Sequence, residues 1–151
     1  MLTCCSRRQS ALICLWDCWI DFRRLQNDVS IYEPIMLTSL EKAALDMLLD
    51  KPGGQFEILR GQLAHAKVGR REFSSVGFFT YFIVPSDAEV RRDIPNMELR
   101  DVVAEFPDVK HGAGFVLFVR DGVINMLEGF TYDEPWPEKL SEFRLSKYKG
   151  T

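Results

Sequence analysis

His111-Gly112-Ala113-Gly114-Phe115-Val116-Leu117-Phe118-Val119-Arg120-Asp121-Gly122-Val123-Ile124-Asn125-Met126-Leu127-Glu128-Gly129 is the stretch that decides the fold. It reads as a glycine-rich bend, a strand, an Asp-Gly turn and a second strand. A two-residue type I′ turn needs φ > 0 at both positions, which Asp-Gly supplies. With Asp121 and Gly122 as the loop, a regular ladder sets Arg120 opposite Val123, Val119 opposite Ile124 and Phe115 opposite Glu128. Side chains alternate across a strand. One face then holds Phe115, Leu117, Val119, Ile124, Met126 and Glu128, and is apolar except for the carboxylate. The register therefore predicts that Glu128 points into an apolar face. A slip of one residue would exchange the two faces.

Around the hairpin the chain reads as two helices followed by strands. Thr38-Ser39-Leu40-Glu41 is a capping box, and Leu40, Ala44, Leu45, Leu48 and Leu49 form one apolar stripe over a helix at 39–50. Lys51-Pro52-Gly53-Gly54 stops it. A second helix over 55–66 carries Phe56, Leu59, Leu63 and Ala66 at helical spacing. Strands follow at 68–74, at 77–84 (aromatic and apolar on both sides, hence central) and at 99–106. The segment 85–96 is a polar loop, and 138–148 suits neither a helical nor a strand period. This order predicts an α+β domain: an N-terminal helix pair packed on a five- to six-stranded, mainly antiparallel sheet.

The chain has 151 residues, 46% of them hydrophobic and 27% charged, with a formal net charge of −3. That is enough for one domain with a real core and is unlike a disordered composition. The acidic balance and scattered basic residues exclude nucleic acid as a partner. No apolar run reaches the roughly 18–20 residues of a membrane helix, so no membrane partner is expected. All four cysteines, Cys4, Cys5, Cys14 and Cys18, and two of the three tryptophans lie in residues 1–35. That segment reads as an extension of the domain at 36–151: a start placed upstream of Met36, or a disordered arm. A secretory signal is opposed by Asp17 and by the lack of a small-residue cleavage site. A zinc site would rest on Cys14 and Cys18 with no histidine nearby. A short amphipathic helix is the remaining reading. No metal and no cofactor is expected, since residues 36–151 hold only His65 and His111 and no cysteine.

Gly77-Phe78-Phe79-Thr80, His111-Gly112-Ala113-Gly114, the Asp121-Gly122 turn, and Leu127-Glu128-Gly129-Phe130-Thr131-Tyr132 with Trp136-Pro137 together resemble a family of small uncharacterised bacterial proteins. The likeness covers about residues 36–148. It implies a bacterial origin, a cytoplasmic location and a start near Met36, and it assigns no catalytic residue.

Two functional readings follow. A carboxylate on an apolar face must be protonated, hydrogen-bonded or paired. Glu128 is thus the candidate acid or base, with His111 beside it, the backbone of Gly112 to Gly114 able to approach a ligand, and Arg70 or Arg71 as countercharge. The bland alternatives are a satisfied structural carboxylate and an ordinary turn histidine. The second reading starts from the aromatic residues. Tyr132 and Trp136, the latter bracketed by Pro135 and Pro137, suit interface anchors; the bland alternative is that Trp136 caps the edge of the core. The absence of a catalytic signature favours a protein-interaction module of regulatory or immunity type over a small enzyme or ligand-binding protein.

Overall fold

The computed structural model describes residues 35–140 and 142–148. The expectations for residues 1–34, including all four cysteines, lie outside them. The described chain runs α1 (Ser39–Leu49), α2 (Gly54–His65), β1 (Lys67–Ser74), β2 (Gly77–Ile83), β3 (Met97–Phe106), β4 (Val109–Arg120), β5 (Val123–Thr131) and β6 (Arg144–Lys147). The strands form one six-stranded sheet in the order β1-β2-β5-β4-β3-β6. Every neighbouring pair is antiparallel. This is the expected α+β arrangement, with the ambiguous C-terminal segment supplying a short sixth strand.

Both helices lie on one face of the sheet, α1 against β3, β4 and β6 and α2 against β5. The stripe Leu40, Ala44, Leu45, Leu48 and Leu49 is buried together with Phe56 and Leu59 of α2 and Phe115, Leu117, Val119, Ile124 and Leu127 of the hairpin. The helix starts as its sequence dictates. Thr38 is the N-cap and its side chain accepts from the Glu41 amide, while Glu41 accepts from the Thr38 amide at 2.7 Å.

The turn also forms as read, with Asp121 at φ 52° and Gly122 at φ 76°. A Cβ on Gly122 would lie 2.0 Å from the Arg91 carbonyl oxygen, so the polar loop can close over the turn only because the residue is glycine. Gln62 clamps the same place from α2. Its amide nitrogen donates to the carbonyls of Glu89 and Gly122, and its oxygen accepts from the Ile124 amide.

Beyond the turn the ladder departs from the regular register. Val119 pairs with Ile124 but Phe118 pairs with Met126, which leaves Asn125 as an extra residue on β5. This β-bulge exchanges the faces of everything after it. Glu128 therefore sits opposite Val116, not Phe115. It belongs to the sheet face away from the helices, and Leu127 takes the core position. The predicted inward carboxylate is corrected by that one residue. The glycine-rich bend is corrected too: β4 runs unbroken from Val109, and Gly112, at φ 65°, sits at an irregularity within the strand.

Candidate functional site

The buried acid among the described residues is Glu41, 2% exposed. Its carboxylate takes the Arg71 guanidinium side-on, Nε to Oε1 at 3.0 Å and Nη2 to Oε2 at 2.7 Å, and also accepts from the Thr80 hydroxyl. Arg71 donates in addition to the Met36 carbonyl at 2.9 Å. Arg71 is thus the partner of a helix-capping glutamate, and it binds nothing on the Glu128 side. Sequence reasoning placed Glu41 in the cap but missed its second role. The signal was Thr80, the one small polar side chain in the otherwise apolar and aromatic run 77–84.

The opposite face of the sheet carries no helix among the described residues. Its middle is built from the outward positions of β2, β5 and β4: Phe79 and Tyr81, then Met126, Glu128 and Phe130, then Gly114, Val116 and Phe118. The pairs Phe79–Glu128, Tyr81–Met126, Val116–Glu128 and Phe118–Met126 are direct cross-strand neighbours, which brings their Cβ atoms to about 5 Å. Val116 is only 7% exposed although no helix covers it, because these side chains shield one another. Gly114 belongs to this packing. A Cβ there would stand 2.7 Å from the Phe130 ring and 3.2 Å from the Tyr132 hydroxyl. Those rings meet edge to face at 5.4 Å, over the β4 backbone.

Charged side chains flank the apolar middle. On the β1 side Arg70 lies 4.0 Å from the Tyr81 ring centre and pairs with Glu72 at 3.2 Å. On the β3 side Glu98 receives both Arg120, at 3.1 Å, and Arg100. The Arg120 hydrogen bond, with Arg100 adding to it, holds the Glu98 carboxyl below its ordinary pKa. Glu128 behaves oppositely. Partial burial among apolar neighbours pushes its pKa up, the Arg100 charge pulls it back, and Glu98 adds to the rise. Among the described residues Glu128 has no hydrogen-bond or ion-pair partner.

A cleft of about 600 Å³ opens on this side of the sheet along β3 and β4, lined by Arg100, Asp101, Gly114, Val116, Phe130 and Tyr132 among others. It exists because β6 pairs only with Val102–Glu105, and because β3 is irregular between Leu99 and Val102. Lys51 reaches Asp101 at its rim, and Asp101 Oδ1 is buried with no hydrogen-bond partner. A second cleft, about 430 Å³, lies over the Glu41–Arg71 pair between Leu40, Phe73, Phe78 and Trp136.

The sequence-predicted site residues separate into three places. Glu128, Gly114, Tyr132 and Arg70 share the helix-free face. His111 does not join them: it lies five residues along β4 from Val116, roughly 15 Å of strand, is exposed, and its amide donates to Glu134 at 3.3 Å. Gly112 packs against the Ala104 carbonyl of β3. Trp136 is partly buried, meeting Phe78 at 5.1 Å and Phe106 at 5.9 Å edge to face. It closes the end of the core, so of the two proposed anchors only Tyr132, 55% exposed, is open to a partner.

Among the described residues no group of three or more His, Cys, Asp or Glu side chains is placed to hold a metal ion. No helix among them is long and apolar enough to cross a membrane. Comparison of the chain with protein-family models, with curated proteins and with solved structures finds no match in any of the three.

Proposed function

We propose that this chain is a protein-binding module that receives its partner on the helix-free face of the sheet. The observation that carries the reading is that face itself: the half-buried Phe79, Tyr81, Phe118, Met126 and Phe130 lie side by side around Glu128, over the buried Val116 and between two charged flanks. An apolar patch rimmed by charge is the usual anatomy of an interaction site, and aromatic residues dominate the energy of such sites. The alternative, a small enzyme or ligand-binding protein with a polar site around Glu128, His111 and the Gly112–Gly114 backbone, is less supported: Gly114 shares the Glu128 face, but His111 stands apart from it along β4. The proposal includes a regulatory or neutralising role in the bacterial cytoplasm, a setting that rests on the sequence resemblance.

The test uses the full chain and two charge variants. Phe118→Asp lies on the helix-free face, and Glu57→Lys lies on an exposed helical position. A partner captured from native lysate, identified and then purified, should bind wild type and Glu57→Lys alike. Its affinity for Phe118→Asp should fall at least about tenfold, while circular dichroism shows an unchanged fold. Equal binding by Phe118→Asp overturns the proposal, as does a folded chain that retains no protein.

A further inference from the structure

Glu128 stands in the middle of the helix-free face, on the third strand of six. Phe79 flanks it on β2, Val116 flanks it on β4, and Met126 and Phe130 lie two residues to either side along β5. A carboxylate in such a frame is expensive to cover. A partner that brought only apolar surface would strip its remaining water and return nothing. The protein's own cations do not meet this need. Arg70 is held by Glu72 and Tyr81, and Arg100 and Arg120 are both held by Glu98. The three arginines that flank this face are thus each matched by a carboxylate, and Glu128 is not.

We infer that Glu128 is the docking point for a cationic side chain, an arginine in the first instance, that the protein partner presents to this face. The inference rests on the reading of the helix-free face as the binding surface and names the chemistry of its occupant. A guanidinium suits the frame in two ways. It can take the carboxylate with two parallel N–H···O bonds, and its flat face can lie on an aromatic ring. Phe79, across from Glu128, and Phe130, two residues along β5, supply such rings, and a cation–π contact with either strengthens as water leaves. The same arrangement rejects competitors. An acidic or purely apolar side chain at this point leaves a desolvated carboxylate behind, so the site selects as well as binds.

The test is an NMR titration of the full chain with N-acetyl-arginine methylamide, and in parallel with its neutral isostere N-acetyl-citrulline methylamide. The arginine probe should move the Glu128 carboxyl carbon and the Phe79 and Phe130 ring signals. The citrulline probe should move them far less at the same concentration. Glu128→Gln keeps the outward side chain's shape and should weaken the arginine probe about tenfold or more, the expected loss of a charge-assisted contact. Ring shifts of equal size with both probes, or undiminished shifts in Glu128→Gln, overturn the cation site while leaving the face as a binding surface. Absence of any response on this face also overturns it. The separate comparison of Phe118→Asp with Glu57→Lys then decides whether the face itself fails.

Discussion

Two glutamates divide the acid chemistry of this molecule, and their surroundings set opposite consequences. Glu41 is inside, charged and fully answered by Arg71, Thr80 and the Thr38 amide. Removing one partner of a buried pair strands the other charge. Arg71→Met is therefore expected to cost about 3–5 kcal/mol in urea denaturation, whereas Thr80→Val, which removes one hydrogen bond and leaves the ion pair, should cost about 1–2 kcal/mol. Equal losses would mean that the ion pair contributes no more than the hydroxyl. Glu128 is outside the core and unanswered. Its pKa in the folded protein is raised, so the native state binds its proton more tightly than the unfolded chain does. By linkage that contribution is neutral well below the ordinary glutamate value and becomes destabilising as pH rises from there through the raised value. Glu128→Gln should thus match wild type in acid and overtake it in urea stability towards neutral pH. A gap that does not change with pH would count against a desolvated carboxylate.

At the scale of elements, the β5 bulge decides what the protein shows to its surroundings. Asn125 and Met126 both point away from the core, and the alternation resumes with Leu127 inside. A chain with Asn125 deleted can form an unbroken ladder with Val119–Ile124, Phe118–Met126 and Leu117–Leu127 still paired. The deletion is expected to fold, with a stability change of no more than about 2 kcal/mol and with Glu128 still outward. NMR contacts between Glu128 and Val116 would verify this; contacts between Glu128 and the core residue Leu117 would refute it. The bulge also marks the limit of what was legible beforehand. The capping box at Thr38 and Glu41, the leucine stripe of α1 and the φ > 0 turn at Asp121-Gly122 are local codes, each contained in a few neighbouring residues, and each was readable. Whether a strand holds an extra residue depends on how its partner twists against it. Nothing between Val123 and Gly129 announces it, and one residue was enough to move the candidate acid to the opposite face.

For the molecule as a whole, the helix pair and the sheet were legible because two helical stripes and a run of strands leave little else to build. The site was less so, because it is made of outward positions from strands distant in sequence. Tyr81, Phe118 and Phe130 have no common motif, and become one surface only once β2 pairs with β5 and β5 with β4. Trp136 shows the converse. Its proline-bracketed setting looks like an exposed turn, yet the Trp136 amide donates to the Ser75 carbonyl at 2.9 Å, which carries the ring onto Phe78. Glu41 closes the first turn of α1 and also holds Arg71 of β1, the sheet's outermost strand at that end. Among the described residues that strand, eight residues long, has no neighbour on its outer side, the kind of edge that invites foreign chains to pair. Because one carboxylate serves both elements, the helix start cannot unwind without releasing the strand, and the strand cannot peel away without leaving the helix uncapped. Slow amide exchange at Glu41 and along β1 should then report a single cooperative opening, and the edge is guarded by a latch on the far side of the sheet from the helix-free face.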